Sequence, residues 1–240
     1  MTQAVIITGA AGGIGTALCQ RMRNDGYIAI GIDQEAATEA DVALRIDLRA
    51  FERLIDAGSK LAKEYELKAV IHNAAVQPPG GAGRISLREW TDALRVNVLA
   101  VDALVSATHV SLAVNDGSVV AISSVHARAT TGGLTAYATT KSALEGWVRS
   151  AALDLGPTVR VNAVAPGAID TAKLREGFAR WGATAEKRKA ILRERTALGR
   201  IGEPGEVAGA VAFLIGDDAR FVTGTVLVVD GGATARLGSE

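Results

Sequence analysis

The apolar run Ala4-Val5-Ile6-Ile7 passes straight into Thr8-Gly9-Ala10-Ala11-Gly12-Gly13-Ile14-Gly15, ahead of a helical pattern carrying Leu18 and Met22. A strand, a glycine-rich turn and a helix start, in that order, constrain the fold more than any other feature. Glycines in such a turn accept positive φ and let backbone approach a ligand. The unsatisfied N–H groups and positive dipole end of the following helix attract a diphosphate. The turn therefore reads as a dinucleotide site. Taken alone, Gly-x-x-x-Gly-x-Gly also suits an ordinary turn between strand and helix. Its weight comes from a second apolar run, Tyr27-Ile28-Ala29-Ile30-Gly31-Ile32, which ends at Asp33, 18 residues beyond Gly15. A carboxylate at the tip of a second strand accepts hydrogen bonds from adenosine ribose hydroxyls and repels a 2′-phosphate, which predicts NAD rather than NADP.

The alternation continues along the chain. Residues 42–46 read as a short third strand, 49–64 as a helix and 68–72 as a fourth strand. Pro78-Pro79-Gly80-Gly81-Ala82-Gly83 breaks any element and predicts a surface loop past the C-terminal end of that strand, where open α/β sheets bind ligands. Residues 96–114 form a helix that is apolar nearly all round, relieved by Asn97, Asp102 and His109, and expected to be buried on most sides. Strands at 117–123, 159–164 and 225–229 alternate with helices at 136–155 and 203–215. Val- and Ile-rich strands separated by helices predict a single-domain α/β Rossmann fold spanning 1–240, a doubly wound parallel sheet of about seven strands covered on both faces.

At 240 residues with 26 basic and 26 acidic side chains, the formal net charge is zero. No global field draws such a chain to nucleic acid or to an anionic membrane, so a small-molecule partner is expected. Only Thr2 and Gln3 separate Met1 from the first strand, without a basic, apolar or cleavage region, and a cytoplasmic location is expected. Cys19 is the single cysteine, which suits a reducing compartment and plain core packing. His72, His109 and His126 are scattered, and no catalytic metal is expected.

Tyr137 and Lys141 lie four apart on a predicted helix and so share a face. A tyrosine with a reference pKa of about 10 is a poor base near neutrality, but an adjacent lysine cation favours the phenolate. The pair is expected to exchange a proton with a substrate hydroxyl or carbonyl. The ordinary alternative is a partly buried aromatic beside a solvated lysine.

Together with Thr8 to Gly15, the segments His72-Asn73-Ala74-Ala75, Asn97, Ile122-Ser123-Ser124, Tyr137 with Lys141, Arg160-Val161-Asn162, Pro166-Gly167, Gly202-Glu203-Pro204 and Val229-Asp230-Gly231-Gly232 follow one another at characteristic spacings. In this the chain resembles the short-chain dehydrogenase/reductase family over nearly its whole length. The resemblance implies a tetrad of Asn97, Ser124, Tyr137 and Lys141. Tyr137 would move the proton and Ser124 would hold and polarise the substrate oxygen. Lys141 would also bind the nicotinamide ribose, and Asn97 would support a helix distortion and a water leading to that lysine. Ser123 should point to the opposite side of the strand, bonded to local backbone.

The resemblance likewise places Gly9, Gly13, Ile14 and Gly15 around the cofactor diphosphate, Asp33 on the ribose, and Asp47 with Leu48 at the adenine. Asn73 and Ala74 would form the turn after the fourth strand. Pro166, Gly167, Ile169 and Thr171 would hold the nicotinamide face and carboxamide. Asp47 also suits a helix cap, and Pro166-Gly167 a plain turn. One departure stands out: the family usually has Asn-Asn-Ala-Gly where this chain has His72-Asn73-Ala74-Ala75, so Ala75 adds a methyl close to the cofactor.

Residues 172–200, a mobile lid in the family, carry nine basic and three acidic side chains, a local charge of +6. Lys173, Arg175 or Arg180 would meet a substrate anion, unless the segment is simply a solvated helix pair. Ser124-Val125-His126 resembles sugar dehydrogenases of the family and offers His126 as a partner for a hydroxyl-rich substrate. The leading expectation is oxidation of a sugar, polyol or related hydroxy acid with NAD. Reduction of a 3-oxoacyl thioester is the alternative, and an NAD-sensing or scaffold protein is an alternative of another class. The apolar 96–114 helix, with the helix carrying Tyr137, predicts a homotetramer or homodimer.

Overall fold

A computed structural model of the protein describes residues 2–179 and 182–235. β1 (Gln3–Thr8), β2 (Ile28–Asp33), β3 (Val42–Arg45), β4 (Glu66–His72), β5 (Ser118–Ile122), β6 (Arg160–Pro166) and β7 (Val226–Val229) form one sheet in the order β3-β2-β1-β4-β5-β6-β7. Every pairing is parallel. Successive side chains leave opposite faces of a strand, so a sheet covered on both sides needs apolar residues at every position. β5 comes close to that demand: it is buried along its whole length and apolar at every position after Ser118.

Helices α2 (Phe51–Glu64), α4 (Ala100–Val114) and α5 (Thr135–Leu155) cover one face. Leu54, Leu61, Val101, Leu104, Leu144 and Val148 there pack on Ile6, Val70, Val119 and Val161. On the other face α1 (Gly13–Asn24) and α8 (Pro204–Ile215) bring Leu18, Met22, Val207 and Val211 onto Val5, Ile7, Ile71 and Val120. The strand order reverses between β1 and β4, whose last residues, Thr8 and His72, are register partners. A crevice opens at such a reversal beyond the carboxyl ends of the strands.

The apolar helix expected over 96–114 begins earlier. Ser86 accepts from the Glu89 N–H while Glu89 accepts from the Ser86 N–H, a capping box that starts α3 (Leu87–Leu94). A wider π turn, Arg95–Leu99, then carries the chain into α4. By length and composition, Leu87–Val114 passes for a membrane span, yet 44% of its most apolar window is buried inside the protein. It is the core helix of the α2–α4–α5 face.

Beyond β6 the chain forms α6 (Ala172–Ala179) and α7 (Ala185–Arg195) before returning to α8. The two ends of this excursion meet. Ile169 bridges Gly202, Asp170 donates its N–H to the Gly202 carbonyl at 2.8 Å, and Gly202 donates to Ala168 at 3.0 Å. Arg200 pairs with Glu206 of α8 just outside that junction.

Candidate active site

The glycine turn is shaped by its own packing before any ligand is considered. Gly9 has φ +67°, and a Cβ there would lie 2.7 Å from the Ala74 Cα. A Cβ on Gly15 would collide with the Gly9 carbonyl, and one on Gly13 would come within 3.0 Å of the Thr171 methyl. No side chain caps the start of α1, where Gly12 stands at the cap, and no acidic residue occupies its first turn. Unlike α3 and α8, which have capping boxes, α1 starts at the strand-end glycine turn with its first donors unpaired by any side chain and so open to an anion. That arrangement fits the diphosphate of a nicotinamide dinucleotide.

Asp33 stands at the end of β2 with Oδ2 accepting from the Ala11 N–H at 3.0 Å and Oδ1 from the Glu35 N–H at 3.1 Å. Asn73 donates its side-chain N–H to the Gly9 carbonyl at 2.9 Å, tying the turn after β4 to the glycine turn. Ala74 donates its N–H to Thr8 Oγ1 at 3.2 Å. Asp47 is gripped by Arg49, whose Nη2 lies 2.7 Å from Oδ2, and that guanidinium holds the Asp47 carboxyl below its ordinary pKa. It does not cap α2, whose start is Ala50; it closes a local turn with the Arg49 N–H. The Leu48 side chain is buried in the core, and Ile14 packs half-buried on the α1 side.

After β6, Gly167 donates to the Val229 carbonyl at 3.0 Å, and a Cβ there would lie 2.7 Å from the Asp230 Cβ. Pro166 ends the strand, Ile169 lies at the closed junction with Gly202, and Thr171 Oγ1 accepts from the Leu174 N–H at the start of α6.

The π turn, the end of β5 and α5 bring the tetrad together. Asn97 is fully buried; its Oδ1 accepts from the Val76 N–H at 2.8 Å, and Nδ2 donates to the Val76 carbonyl and to Thr140 Oγ1, both at 2.9 Å. Thr140 in turn donates to the Tyr137 carbonyl at 2.9 Å, so Asn97 is fastened to the turn of α5 that carries both Tyr137 and Lys141. Ser124 Oγ accepts from the His126 N–H at 3.2 Å, and its hydroxyl lies near enough to that of Tyr137 to favour the phenolate. Lys141, only 1% exposed, donates from Nζ to the Ile122 carbonyl at 2.6 Å, with Nζ 5.7 Å from the Tyr137 ring centre.

The electrostatics differ from the sequence expectation. Burial raises the Tyr137 pKa above its ordinary value, countered only by the Ser124 hydroxyl, and Lys141 does not lower it. Lys141 itself is pushed down to about 7, by burial first and then by repulsion from Lys173. The reason is that neither group has a carboxylate partner, so desolvation opposes the charge on both.

Ser123, expected on the opposite side of the strand, also points its hydroxyl to α5, the helix that carries Tyr137, and its partner there is not merely backbone. Its hydroxyl donates to Glu145 Oε1 at 3.1 Å, and Arg128 reaches Glu145 Oε2 at 3.2 Å. Glu145 is buried one helical turn beyond Lys141 and escaped the sequence reading; an acid at i+4 from the lysine was its one signal. His126 meets the Tyr137 ring edge-on at 5.9 Å and bonds Thr130 Oγ1 at 3.0 Å. Of the lid cations, Lys173 is near enough to Lys141 to repel its charge, and although the residue as a whole is exposed, burial around its ammonium lowers its pKa. Arg175 pairs instead with Asp170 at 2.9 Å, and Arg180 lies outside the described residues.

The family model described as "Enoyl-(Acyl carrier protein) reductase" matches residues 9–234. "Dehydrogenase/reductase SDR family member 4" of Homo sapiens is 30% identical over 250 residues, covering 97% of this chain and 87% of that protein. The chain belongs to the short-chain dehydrogenase/reductase family. Meso-2,3-butanediol dehydrogenase of Serratia marcescens is 31% identical over 249 residues, covering 98% of this chain and 95% of that protein. The ligand-free aldohexose dehydrogenase of Thermoplasma acidophilum superposes with a TM-score of 0.94 at 33% identity, covering 100% of this chain and 97% of that one. A solved structure at 29% identity holds NADP. As a short-chain dehydrogenase/reductase, the protein is an oxidoreductase that uses a nicotinamide cofactor.

Proposed function

We propose that this enzyme uses NAD to oxidise a secondary alcohol of a sugar, polyol or hydroxy acid, with Asn97, Ser124, Tyr137 and Lys141 as its catalytic apparatus. The convergence of Tyr137 with Lys141, Ser124 and the Asn97–Thr140 link at the carboxyl edge of the sheet carries the reading. Bound NAD supplies the hydride acceptor. Ser124 takes the His126 N–H as acceptor, so its own proton points to the oxygen of Tyr137 or of a substrate bound there. Tyr137 gives up its own proton and takes that of the substrate hydroxyl, and a Lys141 with a pKa of about 7 is the group that accepts the released proton in the working range and later returns it to solvent. Asn97, through Thr140, keeps that turn of α5 in place.

The glycine turn with Gly9, Gly13, Ile14 and Gly15 would hold the diphosphate, Asp33 the adenosine ribose, the Asp47–Leu48 turn the adenine, and residues 166–171 the nicotinamide. Preference for NAD rests on Asp33. The substrate class is supported by the aldohexose and butanediol activities named for two relatives, and by His126 and Lys173 beside Tyr137 and Lys141. A second reading, reduction of an acyl-carrier thioester, draws on the family model's description and the basic residues of 172–200. We further propose a cytoplasmic homotetramer or homodimer that binds neither nucleic acid nor membrane.

The test is NADH formation across aldohexoses, polyols and their acids, beside NADPH or NADH oxidation with a 3-oxoacyl thioester. Turnover of a sugar, polyol or hydroxy acid upholds the first reading. Turnover confined to the thioester replaces it.

A further inference from the structure

Glu145 sits on α5 one turn beyond Lys141 with its side chain only 6% exposed, and the proposed chemistry does not use it. A carboxylate that deep persists only where its charge is paired and its oxygens are hydrogen-bonded. Here the two oxygens are divided. Ser123 donates its hydroxyl to Oε1 at 3.1 Å, and Arg128 donates from Nε to Oε2 at 3.2 Å. The residues between these two partners are Ser124, Val125, His126 and Ala127. One buried acid therefore spans the turn that carries Ser124 and the histidine meeting the Tyr137 ring.

The other attachments of this segment show what the span adds. Ser123 is fixed to β6 by its N–H, which donates to the Val164 carbonyl at 2.7 Å. At the far end, where α5 begins, Gly80 donates to the Gly133 carbonyl at 2.9 Å and Thr135 donates to the Gly80 carbonyl at 3.3 Å. In between, the Ser142 hydroxyl donates to the Ala127 carbonyl at 2.7 Å. A turn held by one such bond can pivot about it, and a second attachment removes the pivot. We propose that Glu145 is a positioning residue which, with Arg128, sets the orientation of Ser124 and His126 toward Tyr137. The inference rests on the proposed roles of Ser124 and His126.

An ion pair that merely stabilised α5 would have the same partners, so the variants must separate the two roles. The Arg128 side chain is 58% exposed, and Arg128→Met keeps its apolar stem while removing the charge, without opening a cavity in the core. Arg128→Lys puts a cation back; the native contact is made by Nε, close to the backbone, and a lysine ammonium reaches that far. Glu145→Gln keeps an acceptor for the Ser123 hydroxyl and loses the charged partner of Arg128.

Two measurements on the full-length protein decide the matter. The amides of residues 126–129 are bonded within the turn, to Ser124 and Val125. Their hydrogen exchange should quicken about tenfold or more in Arg128→Met and Glu145→Gln, with α5 unchanged, and return toward wild type in Arg128→Lys. In alcohol oxidation, kcat/KM should fall about tenfold in Arg128→Met and in Glu145→Gln and recover in Arg128→Lys, while the Kd for NAD stays within about twofold. The double variant should be no worse than either single one, because the two residues act as one attachment. Exchange in Arg128→Met that is unmoved, or that rises equally along α5, overturns the proposal, as does a double variant whose losses multiply. A wild type without NAD-linked turnover would instead strike the catalytic reading, and hydrogen exchange would still decide whether Glu145 and Arg128 set the turn.

Discussion

The carboxylate of Asp33 accepts the N–H of Ala11 at 3.0 Å, so the acidic tip of β2 holds the glycine turn in addition to its proposed role at the ribose. The two tasks are separable by experiment. Wild type should bind NAD at least about tenfold more tightly than NADP, because a 2′-phosphate would meet this carboxylate. Asp33→Ala should lose affinity for both cofactors, since the turn loses its anchor, rather than simply exchange one preference for the other. Calorimetric titration of both cofactors checks this, and equal wild-type affinities would remove the proposed role.

Tyr137→Phe deletes one hydroxyl and leaves the packing of α5 intact. Turnover should fall by about 10²–10⁴-fold with NAD affinity nearly unchanged, the signature of a lost proton-transfer group. Lys141→Ala should damage turnover and NAD affinity together. Steady-state kinetics paired with cofactor titration separates the two variants.

Lys173 is near enough to Lys141 to repel its charge, whereas Arg175 is paired with Asp170. Lys173→Met should therefore raise KM for an anionic substrate several-fold more than for its neutral analogue, and added salt should shrink the difference. Arg175→Met should treat the two substrates alike. Equal behaviour of both substrates in Lys173→Met would favour a neutral sugar or polyol.

Burial and the nearby Lys141 cation hold the His72 pKa down to about 3. The unfolded chain takes up this proton as pH falls through about 6.5, while the folded protein does not. The stability tied to a neutral His72 is thus fully present above pH ~6.5 and is lost progressively as pH falls toward 3. His72→Gln should flatten that decline in urea denaturation between pH ~6 and ~4, whatever it costs at pH 8. An unchanged slope would mean that other groups govern acid unfolding.

Val110 and Val114 on α4 and Leu153 on α5 are 65%, 80% and 83% exposed in a single chain. Light scattering at micromolar concentration should find a tetramer or dimer, and Val114→Glu should weaken it. A wild-type monomer would leave these side chains without a partner.

The sheet was legible because its signals are local and repeated: seven apolar runs, each followed by a break, fix the layers and the crevice. The glycine turn and the Tyr137–Lys141 pair were legible for the same reason. The π turn was not, since its cause is tertiary: Asn97 is pulled to Val76 and Thr140, 21 and 43 residues away. Capping chemistry at Ser86 and Glu89 was present in the sequence, but attention to the apolar stretch placed the helix start too late. Glu145 and His72 depend on partners in other elements, and no spacing along the chain separates a buried acid or imidazole from a surface one. The lid charges could be counted; only Asp170 distinguishes Arg175 from Lys173.

The junction at Ala168, Asp170 and Gly202 gives residues 172–200 a closed neck. A segment whose two ends are already held together can change its length cheaply, because each doubling of a loop costs only about 0.6 kcal/mol in closure entropy. The sheet, the glycine turn and the tetrad lie on the other side of that neck. Under the proposed function, substrate choice would be rewritten by exchanging residues 172–200 as one cassette, with the hydride-transfer apparatus and Thr171 left in place.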